Sequence, residues 1–395
     1  MDPLTAILKL SRNERAARGL LHTPAEIFQQ PDTWLRTYEK LVQLGPELKA
    51  LLKRAGVFNE PLLRPAVFLI GAGTSDYVGR SVAILLRSLW QCDVWVIPST
   101  DLLTSWENHL VPGRSYVWIS FSRSGESPEG VALIETALAL RPEIHHVIVC
   151  CNADGLMTRT VSESGNVCRI ILNDEVNDRG LAMTSSFSNM VVAGQCLAHV
   201  QDLDSYRLTL EALTVAARKF LPAAAELAEE SSAIGFAKIC FLGTGALQAV
   251  AVESALKLLE LTAGKIATLS DSFLGVRHGP LSSLDDETLV VGFVSTDTQR
   301  RCYELDLLEE VRDKNLAKSI ILIAPLVTSE HEQRLAKIGL VLSHEHSVAD
   351  SYRPPADVFI GQLFGLFSSM KLGLLPDTPS PSGAISRVVS KVKIY

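Results

Sequence analysis

The sequence predicts an α/β protein built from two similar halves, each a parallel sheet covered by helices on both faces in a three-layer α/β/α sandwich. Short apolar segments typical of buried strands alternate with longer segments typical of helices, which is the pattern of parallel sheets. In addition, the strand-like segments recur at a constant offset of 172 residues, the interval from Val67 to Ile239. Duplication of one α/β unit explains such a constant register.

The predicted elements follow one another in the same order in both halves. The strand-like segments, paired by the offset, are 67–73 with 239–245, 93–98 with 265–270, 116–121 with 288–293, 147–151 with 319–323, and 167–172 with 339–344. Helices are predicted before the first strand, with a start signal at Thr23-Pro24, and a linking helix is predicted over about 206–232. The domain organisation predicted is an N-terminal helical segment (1–55), a first α/β domain (56–205), a linking helix with a second α/β domain (206–375), and a tail (376–395) that ends in a strand-like segment from Val388 to Tyr395.

Composition narrows the class of protein. The chain has 395 residues, of which 47% are hydrophobic and 21% are charged, as in globular proteins with large cores. Its formal charge of −7 and its lack of a basic stretch argue against nucleic-acid binding. It has no apolar run of about 18 residues, so no membrane span is expected. The seven cysteines form no pair of CxxC motifs and are typical of reduced thiols in a cytoplasmic protein, and neither a metal nor a cofactor is predicted.

The most informative motif lies where the third strand-like segment turns into a helix. Three serines, an arginine and a glycine stand there, in the run Ser122, Arg123, Ser124, Gly125, Glu126, Ser127. In open α/β sheets ligands bind at the carboxyl ends of strands, and a helix N-terminus favours an anion. Serine is also a common helix cap, but three serines in six residues favour a phosphate site. Arg123 either adds charge to this site or points to solvent.

The second half lacks this serine loop. Under the offset of 172, residues 122–125 correspond to Val294, Ser295, Thr296 and Asp297. A carboxylate there repels phosphate. We therefore expect one phosphate site in each chain, in the first half.

Titratable groups with catalytic potential lie in the second half. Lys257 and Glu260 share one face of a predicted helix, and Glu253 precedes Lys257 by one turn. Such a group is usually a surface ion-pair ladder, but this helix is otherwise apolar, so its charges are expected to be partly buried. His278 stands before Gly-Pro on a loop, where functional residues concentrate. A glutamate beside a lysine, with a histidine, suits general acid–base catalysis.

Two other motifs are not assigned a functional role. His145 and His146 precede a strand-like segment and are expected to be solvated. The Gly71-Ala72-Gly73 turn begins like a dinucleotide-binding fingerprint, but Asp76 replaces the third glycine, so a nucleotide-binding dehydrogenase is disfavoured.

These motifs together resemble the sugar isomerase (SIS) domain proteins. The resemblance runs from about residue 44 to the C-terminus, and it is carried by the segments 73–75, 122–127, 253–260 and 277–280. The chain is most similar to the double-domain group that contains galactosamine-6-phosphate deaminases, tagatose-6-phosphate ketose/aldose isomerases and the isomerase half of glucosamine-6-phosphate synthase.

The resemblance implies roles for individual residues. The sugar phosphate is bound by a set of polar side chains that consists of Thr74, Ser75, Ser122, Ser124 and Ser127, with Arg123 and Arg387 as further candidates. Glu260 moves a proton between C1 and C2 of the sugar, and Lys257 lies beside the reacting carbons. His278 opens the sugar ring and comes from a neighbouring subunit, which implies a homodimer or a higher homo-oligomer. Arg387 is the nearest match to the synthase's C-terminal lysine, and Arg123 replaces its glutamine.

The expected activity follows from this resemblance and from one expected difference from the synthase. Only about 55 residues precede the first strand, so we expect no glutaminase domain that would make ammonia from glutamine. The resemblance then implies a deaminase/isomerase that converts a 2-amino-2-deoxyhexose 6-phosphate, of the galactosamine type, into a ketohexose 6-phosphate and ammonia through an enolamine. A ketose/aldose phosphate isomerase without deamination is the alternative. A sugar-phosphate-sensing regulatory protein ranks lower, because it has no need of Glu260, Lys257 and His278 together.

Overall fold

The computed structural model describes residues 1–161, 165–325, 329–344, 348–389 and 392–395, with the backbone alone at 329–332. Four helices come first in the chain: α1 Pro3–Leu8, α2 Arg12–Ala17, α3 Thr23–Phe28 and α4 Gln30–Arg54. The predicted helix start at Thr23-Pro24 is confirmed, because proline is tolerated in the first turn, where its missing N–H has no partner to lose.

The first sheet is parallel and has five strands. They are β1 Ala66–Gly71, β2 Val94–Pro98, β3 Tyr116–Ser122, β4 His145–Cys150 and β5 Val167–Ile171. The helices between and after them are α5 Thr74–Trp90, α6 Ser99–His109, α7 Pro128–Leu140, α8 Leu156–Arg159 and α9 Ser185–Ala198. The strand order is β2-β1-β3-β4-β5, so the chain reverses its direction of sheet growth between β1 and β3. That junction is the topological switch point, at which such sheets bind ligands.

A long helix, α10 Leu203–Ile234, leads to a second parallel sheet. Its strands are β6 Lys238–Gly243, β7 Ala267–Asp271, β8 Thr288–Phe293, β9 Ser319–Ala324 and β10 Leu340–Ser343, and its helices are α11 Ala246–Leu261, α12 Thr298–Asp313, α13 Ser329–Ile338, α14 Pro354–Asp357 and α15 Phe359–Lys371. The order, β7-β6-β8-β9-β10, matches that of the first sheet. The register matches as well, since Leu69 pairs with Ile119 and Phe241 pairs with Val291. The predicted fold class is confirmed.

The chain divides into two compact units that interleave along the sequence. The first-sheet unit comprises residues 32–178, 185–208 and 385–395, and the second-sheet unit comprises residues 1–31, 179–184 and 209–384. The domain boundaries inferred from the sequence remain a prediction.

Each unit has its own apolar core around the central strands. Every residue of β1, β3 and β8 is buried, as expected for inner strands covered on both faces. In the first-sheet unit Trp118 stacks on Phe68 at 6.2 Å between ring centroids, and in the second-sheet unit Phe241 stacks on Phe293 at 6.4 Å. Among the described residues, no helix is both long enough and apolar enough to cross a bilayer.

Two local expectations are wrong. His146 lies inside β4 and is fully buried, with its ring edge-on to Trp118, because the strand starts two residues earlier than its apolar run suggests. The C-terminal segment from Val388 forms no strand in the described residues 388–389 and 392–395. Its alternating pattern suits a strand, but none of the ladders of the two sheets includes it.

Candidate active site

The serine loop joins β3 to α7 in the first-sheet unit. Ser122 Oγ accepts a hydrogen bond from the Gly125 N–H at 3.0 Å, and Ser124 Oγ accepts one from Glu126 at 3.2 Å. Ser127 caps α7 by accepting the Gly130 N–H at 3.2 Å. In each case the serine oxygen is the acceptor, so its hydroxyl proton remains able to donate. The loop therefore offers hydroxyl donors at a helix N-terminus, which suits a phosphate.

Close packing holds this loop in shape. Gly125 has φ +65°, and a Cβ there would lie 3.0 Å from Cys150 Sγ and 3.2 Å from the Gly155 Cα. The Asn152 amide donates to the Ser124 carbonyl at 2.9 Å. Sequence reasoning missed Asn152 and Gly155, whose Asn-Ala-Asp-Gly turn after the neighbouring strand β4 is the signal that points to them.

The second polar segment on this edge follows β1, which pairs with β3. Thr74 and Ser75 open α5 and are buried, directly after Gly73, whose φ is +57°. Helix and strand approach closely here, since a Cβ on Gly71 would lie 2.3 Å from the Ser75 carbonyl carbon. The two segments, 74–75 and 122–127, thus flank the switch point between β1 and β3.

Arg123 and Arg387 connect the serine loop to the C-terminal tail. Arg123 is buried, and it donates to the backbone carbonyl of Arg387. Arg387 in turn donates to the Asp178 carbonyl and to the Asn177 side chain, both at 2.6 Å. Arg123 therefore does not point to solvent. Asn177 and Asp178 were not singled out from the sequence, because they contact residues more than 200 positions away.

The thiols beside the serine loop are not nucleophiles. Burial raises the pKa of Cys150 to about 11 and raises the pKa of Cys151 well above its usual range. A thiol that stays protonated near neutral pH is a packing group.

The lysine cluster lies on α11 in the second-sheet unit. Lys257 Nζ lies 2.6 Å from Glu260 Oε2 and 3.4 Å from Glu253 Oε1. The side chains of Lys257 and Glu253 are fully buried, whereas that of Glu260 is 23% exposed. The ladder on this helix is thus a buried cluster, of which Glu260 is the member accessible to a small molecule.

The burial of Lys257 depends on close helix packing. Helix α15 crosses α11 at two glycines, where added Cβ atoms would meet Ser254 Cα at 2.4 Å from Gly361 and Leu261 Cδ1 at 2.5 Å from Gly365. Without Cβ atoms at these positions, the α15 backbone comes close enough to exclude water from the lysine side of α11.

His278 lies on the loop that follows β7 in the second-sheet unit. It is exposed and ends a short 3₁₀ turn, with its N–H donating to the Gly275 carbonyl at 2.9 Å, and Gly279 follows at φ +126°. In the described part of the chain, no hydrogen bond joins the His278 ring to α11. The structure thus brings Lys257 and Glu260 together on α11, and it places the serine loop in the other compact unit.

No protein-family model matches the chain. The chain is 38% identical over 379 residues to an Escherichia coli protein named D-galactosamine-6-phosphate deaminase AgaS, covering 94% of this chain and 95% of the relative. A solved structure of tagatose-6-phosphate ketose/aldose isomerase from Escherichia coli is 34% identical, has a TM-score of 0.80, and covers 94% of this chain and 96% of its own.

A more distant structure shares the fold alone. The C-terminal domain of glucosamine-fructose-6-phosphate aminotransferase from Francisella tularensis has a TM-score of 0.74 at 19% identity, covering 94% of this chain and all of its own. The identities with the two Escherichia coli proteins extend over nearly the whole sequence. The chain therefore belongs to the AgaS family of sugar isomerase (SIS) domain proteins.

Proposed function

We propose that the chain is an amino-sugar phosphate deaminase/isomerase that acts on D-galactosamine 6-phosphate. Substrate and water would give the ketohexose 6-phosphate and ammonia, a hydrolytic step of amino-sugar catabolism. The observation that carries the proposal is the buried Glu253–Lys257–Glu260 cluster with one accessible carboxylate, in a chain that also holds a phosphate-type serine loop. The name of the 38% identical Escherichia coli relative supports the choice of substrate.

The phosphate would be bound by the serine loop. The hydroxyls of Ser122, Ser124 and Ser127 supply neutral donors on one edge of the sheet, together with those of Thr74 and Ser75 at the start of α5. In this proposal Arg123 and Arg387 contribute positive charge near the phosphate while they hold the tail.

The proton transfer would be performed by Glu260. In the open-chain sugar its carboxylate takes the proton from C2. That electron pair forms the C1–C2 double bond of an enolamine, while the π pair of the C1 carbonyl moves to O1, which takes up a proton from water. The same carboxyl then returns the proton to C1, which leaves an imine at C2. Water adds to that carbon, and the C2–N bond breaks as the nitrogen leaves as ammonia. General acid–base catalysis of this kind contributes about 10²–10⁴-fold.

Lys257 would orient the Glu260 carboxylate, and Glu253 would balance the charge of Lys257. The Lys257 ammonium orients Glu260 through a charge-assisted hydrogen bond and stabilises negative charge that develops on the substrate oxygen during proton transfer. Glu253 compensates the buried ammonium.

A substrate panel tests the proposal. Purified protein is incubated with galactosamine 6-phosphate, glucosamine 6-phosphate and tagatose 6-phosphate, while ammonia is measured enzymatically and the sugars by NMR. We expect ammonia and a ketose phosphate from galactosamine 6-phosphate, and no ammonia from the Glu260→Gln variant. Absence of ammonia together with aldose formation from tagatose 6-phosphate would instead establish the isomerase, which the name of the 34% identical structure favours.

The role of His278 in opening the sugar ring requires a second subunit. We propose that the protein acts in the cytoplasm as a homodimer or a higher homo-oligomer, in which His278 opens the sugar ring in a neighbouring chain's site. The exposure of His278 supports this. Mixing His278→Ala chains with Glu260→Gln chains should then restore about a quarter of wild-type activity, because half of the random dimers carry one intact site. Subunit exchange without recovered activity would refute the assignment.

A further inference from the structure

The second sheet has a switch point of its own, between β6 and β8. Thr244 follows β6 there, and Ser295 and Thr296 follow β8, at the positions that correspond to the serine loop. Here the donors are used by the protein itself. Ser295 Oγ donates to Asp350 Oδ2 at 2.5 Å, and the Thr296 N–H and hydroxyl both donate to Asp350 Oδ1 at 2.8 Å. The Asp350 carboxylate thus lies where an anion would lie in the first sheet.

Cationic side chains surround the same carboxylate. Arg353 Nη1 lies 3.2 Å from Asp350 Oδ1, and Arg300 Nη1 lies 3.4 Å from Oδ2. Arg301 donates to the carbonyls of Ser295 and Thr296 at 2.9 and 3.0 Å. Asp350 is 95% buried, so this is an interior contact rather than a surface ion pair.

Asp297, which the sequence suggested as the group that repels phosphate, has a different role. It caps α12 by accepting the Arg300 N–H at 2.9 Å. The group that fills the anion position is Asp350, which lies 55 residues further along the chain than Ser295.

Buried polar atoms remain unmatched at this edge. Glu304 accepts the Ser295 N–H on Oε2 at 2.7 Å, and burial raises the pKa of Glu304 to about 7. Its other oxygen, Oε1, and the Arg353 Nε have no partner among the described residues, although both side chains are at least 98% buried. Buried polar groups without partners are uncommon, and a bound water or ion is one of the ways in which such groups are satisfied.

We propose that this edge of the second sheet is an oxyanion site that Asp350 occupies in place of an external anion. Removal of the Asp350 carboxylate would leave hydroxyl and N–H donors, a helix N-terminus and two guanidinium groups, of which Arg353 also pairs with Asp357. That set suits inorganic phosphate or sulfate, whose oxygens accept as a carboxylate does. The inference goes beyond the proposed activity, because it concerns a second site on the chain and holds whether or not the first site turns over an amino sugar.

The test is Asp350→Ala in the full chain, with phosphate as the probe. Thermal midpoints are measured in phosphate, sulfate and chloride at equal ionic strength, and bound phosphate is counted by equilibrium dialysis. We expect the variant to melt below wild type in chloride, to gain at least about 2 °C more than wild type from phosphate, and to bind one additional phosphate per chain. Asp297→Ala is the matched control, because it removes a carboxylate from the same loop without opening the site.

Further variants show where the additional phosphate binds, and they provide a second test if Asp350→Ala does not fold. Adding Ser295→Ala and Thr296→Val to Asp350→Ala should abolish the extra phosphate, which shows that it is not bound at the serine loop. If Asp350→Ala does not fold in chloride, the milder Asp350→Asn replaces it, and refolding yields in phosphate and chloride are compared. Gains from phosphate no larger than those of Asp297→Ala, or equal refolding yields in the two salts, would overturn the proposal.

Discussion

Replacing Lys257 with methionine removes the ammonium that lies between Glu253 and Glu260, while it keeps a side chain of similar length. Lys257 and Glu253 are fully buried, so Glu253 would lose the ammonium that lies 3.4 Å from its carboxylate. Breaking a buried ion pair from one side typically costs about 3–5 kcal/mol, because the remaining charge stays desolvated. We therefore expect Lys257→Met to lower the free energy of unfolding by about that amount at neutral pH, measured by urea denaturation.

The chain provides a matched exposed cluster as a control. Arg334 also lies between two carboxylates, 2.6 Å from Asp306 and 2.7 Å from Glu309, but its side chain is 32% exposed. Exposed ion pairs contribute about 1 kcal/mol or less, so Arg334→Met should cost far less than Lys257→Met.

Two further measurements separate the charge effect from a packing effect. The double variant Glu253→Gln/Lys257→Met should recover part of the lost stability, because position 253 then carries no buried charge. The deficit of Lys257→Met should also shrink at low pH, where protonation neutralises the carboxylate. If Lys257→Met costs no more than Arg334→Met, the inference that burial makes this cluster energetically distinct is wrong.

Three other outcomes are expected. Glu260→Gln should lower kcat by about 10²–10⁴-fold while phosphate binding persists in calorimetry, and near-normal turnover would remove Glu260 from the chemistry. Gly125→Ala should weaken phosphate binding more than Gly113→Ala weakens it, because both positions have positive φ but only Gly125 lacks space for a Cβ; equal effects would point to backbone strain alone. Burial lowers the pKa of His146 to about 4, so on acidification the unfolded chain binds a proton at this residue before the folded chain does. The free energy of unfolding should therefore fall by about 3 kcal/mol as the pH drops from 6.5 to 4. If the urea midpoint of His146→Phe depends on pH in the same way as that of wild type, this prediction is wrong.

Much of the fold could be predicted because its signals are local. Apolar runs identify buried strands, amphipathic segments identify helices, and both appear within short windows. The serine loop was predictable for the same reason, since a strand, three hydroxyl side chains and a helix start follow one another within about a dozen residues. His146 shows the limit of such signals, because a histidine at the end of an apolar run can be either inside or outside the strand.

The burial and the bonding partners of the site residues depend on contacts that are distant in sequence. The sequence placed Lys257 and Glu260 on one helical face but did not show that Gly361 and Gly365, a hundred residues later, bury Lys257. From the sequence, Arg123 could either add charge to the phosphate site or point to solvent. Its hydrogen bond to the Arg387 carbonyl shows that it does not point to solvent.

By itself, the sequence determined two parallel α/β units, a phosphate-type loop in the first and a carboxylate–lysine helix in the second, since each is encoded by neighbouring residues. Only the tertiary structure decided which carboxylate occupies the second switch point. The sequence suggested Asp297 by its position, whereas the structure places Asp350 there. The physical reason is that an anion site is assembled from donors of several segments, and the group that fills it is chosen by the path of the chain rather than by its neighbours in sequence.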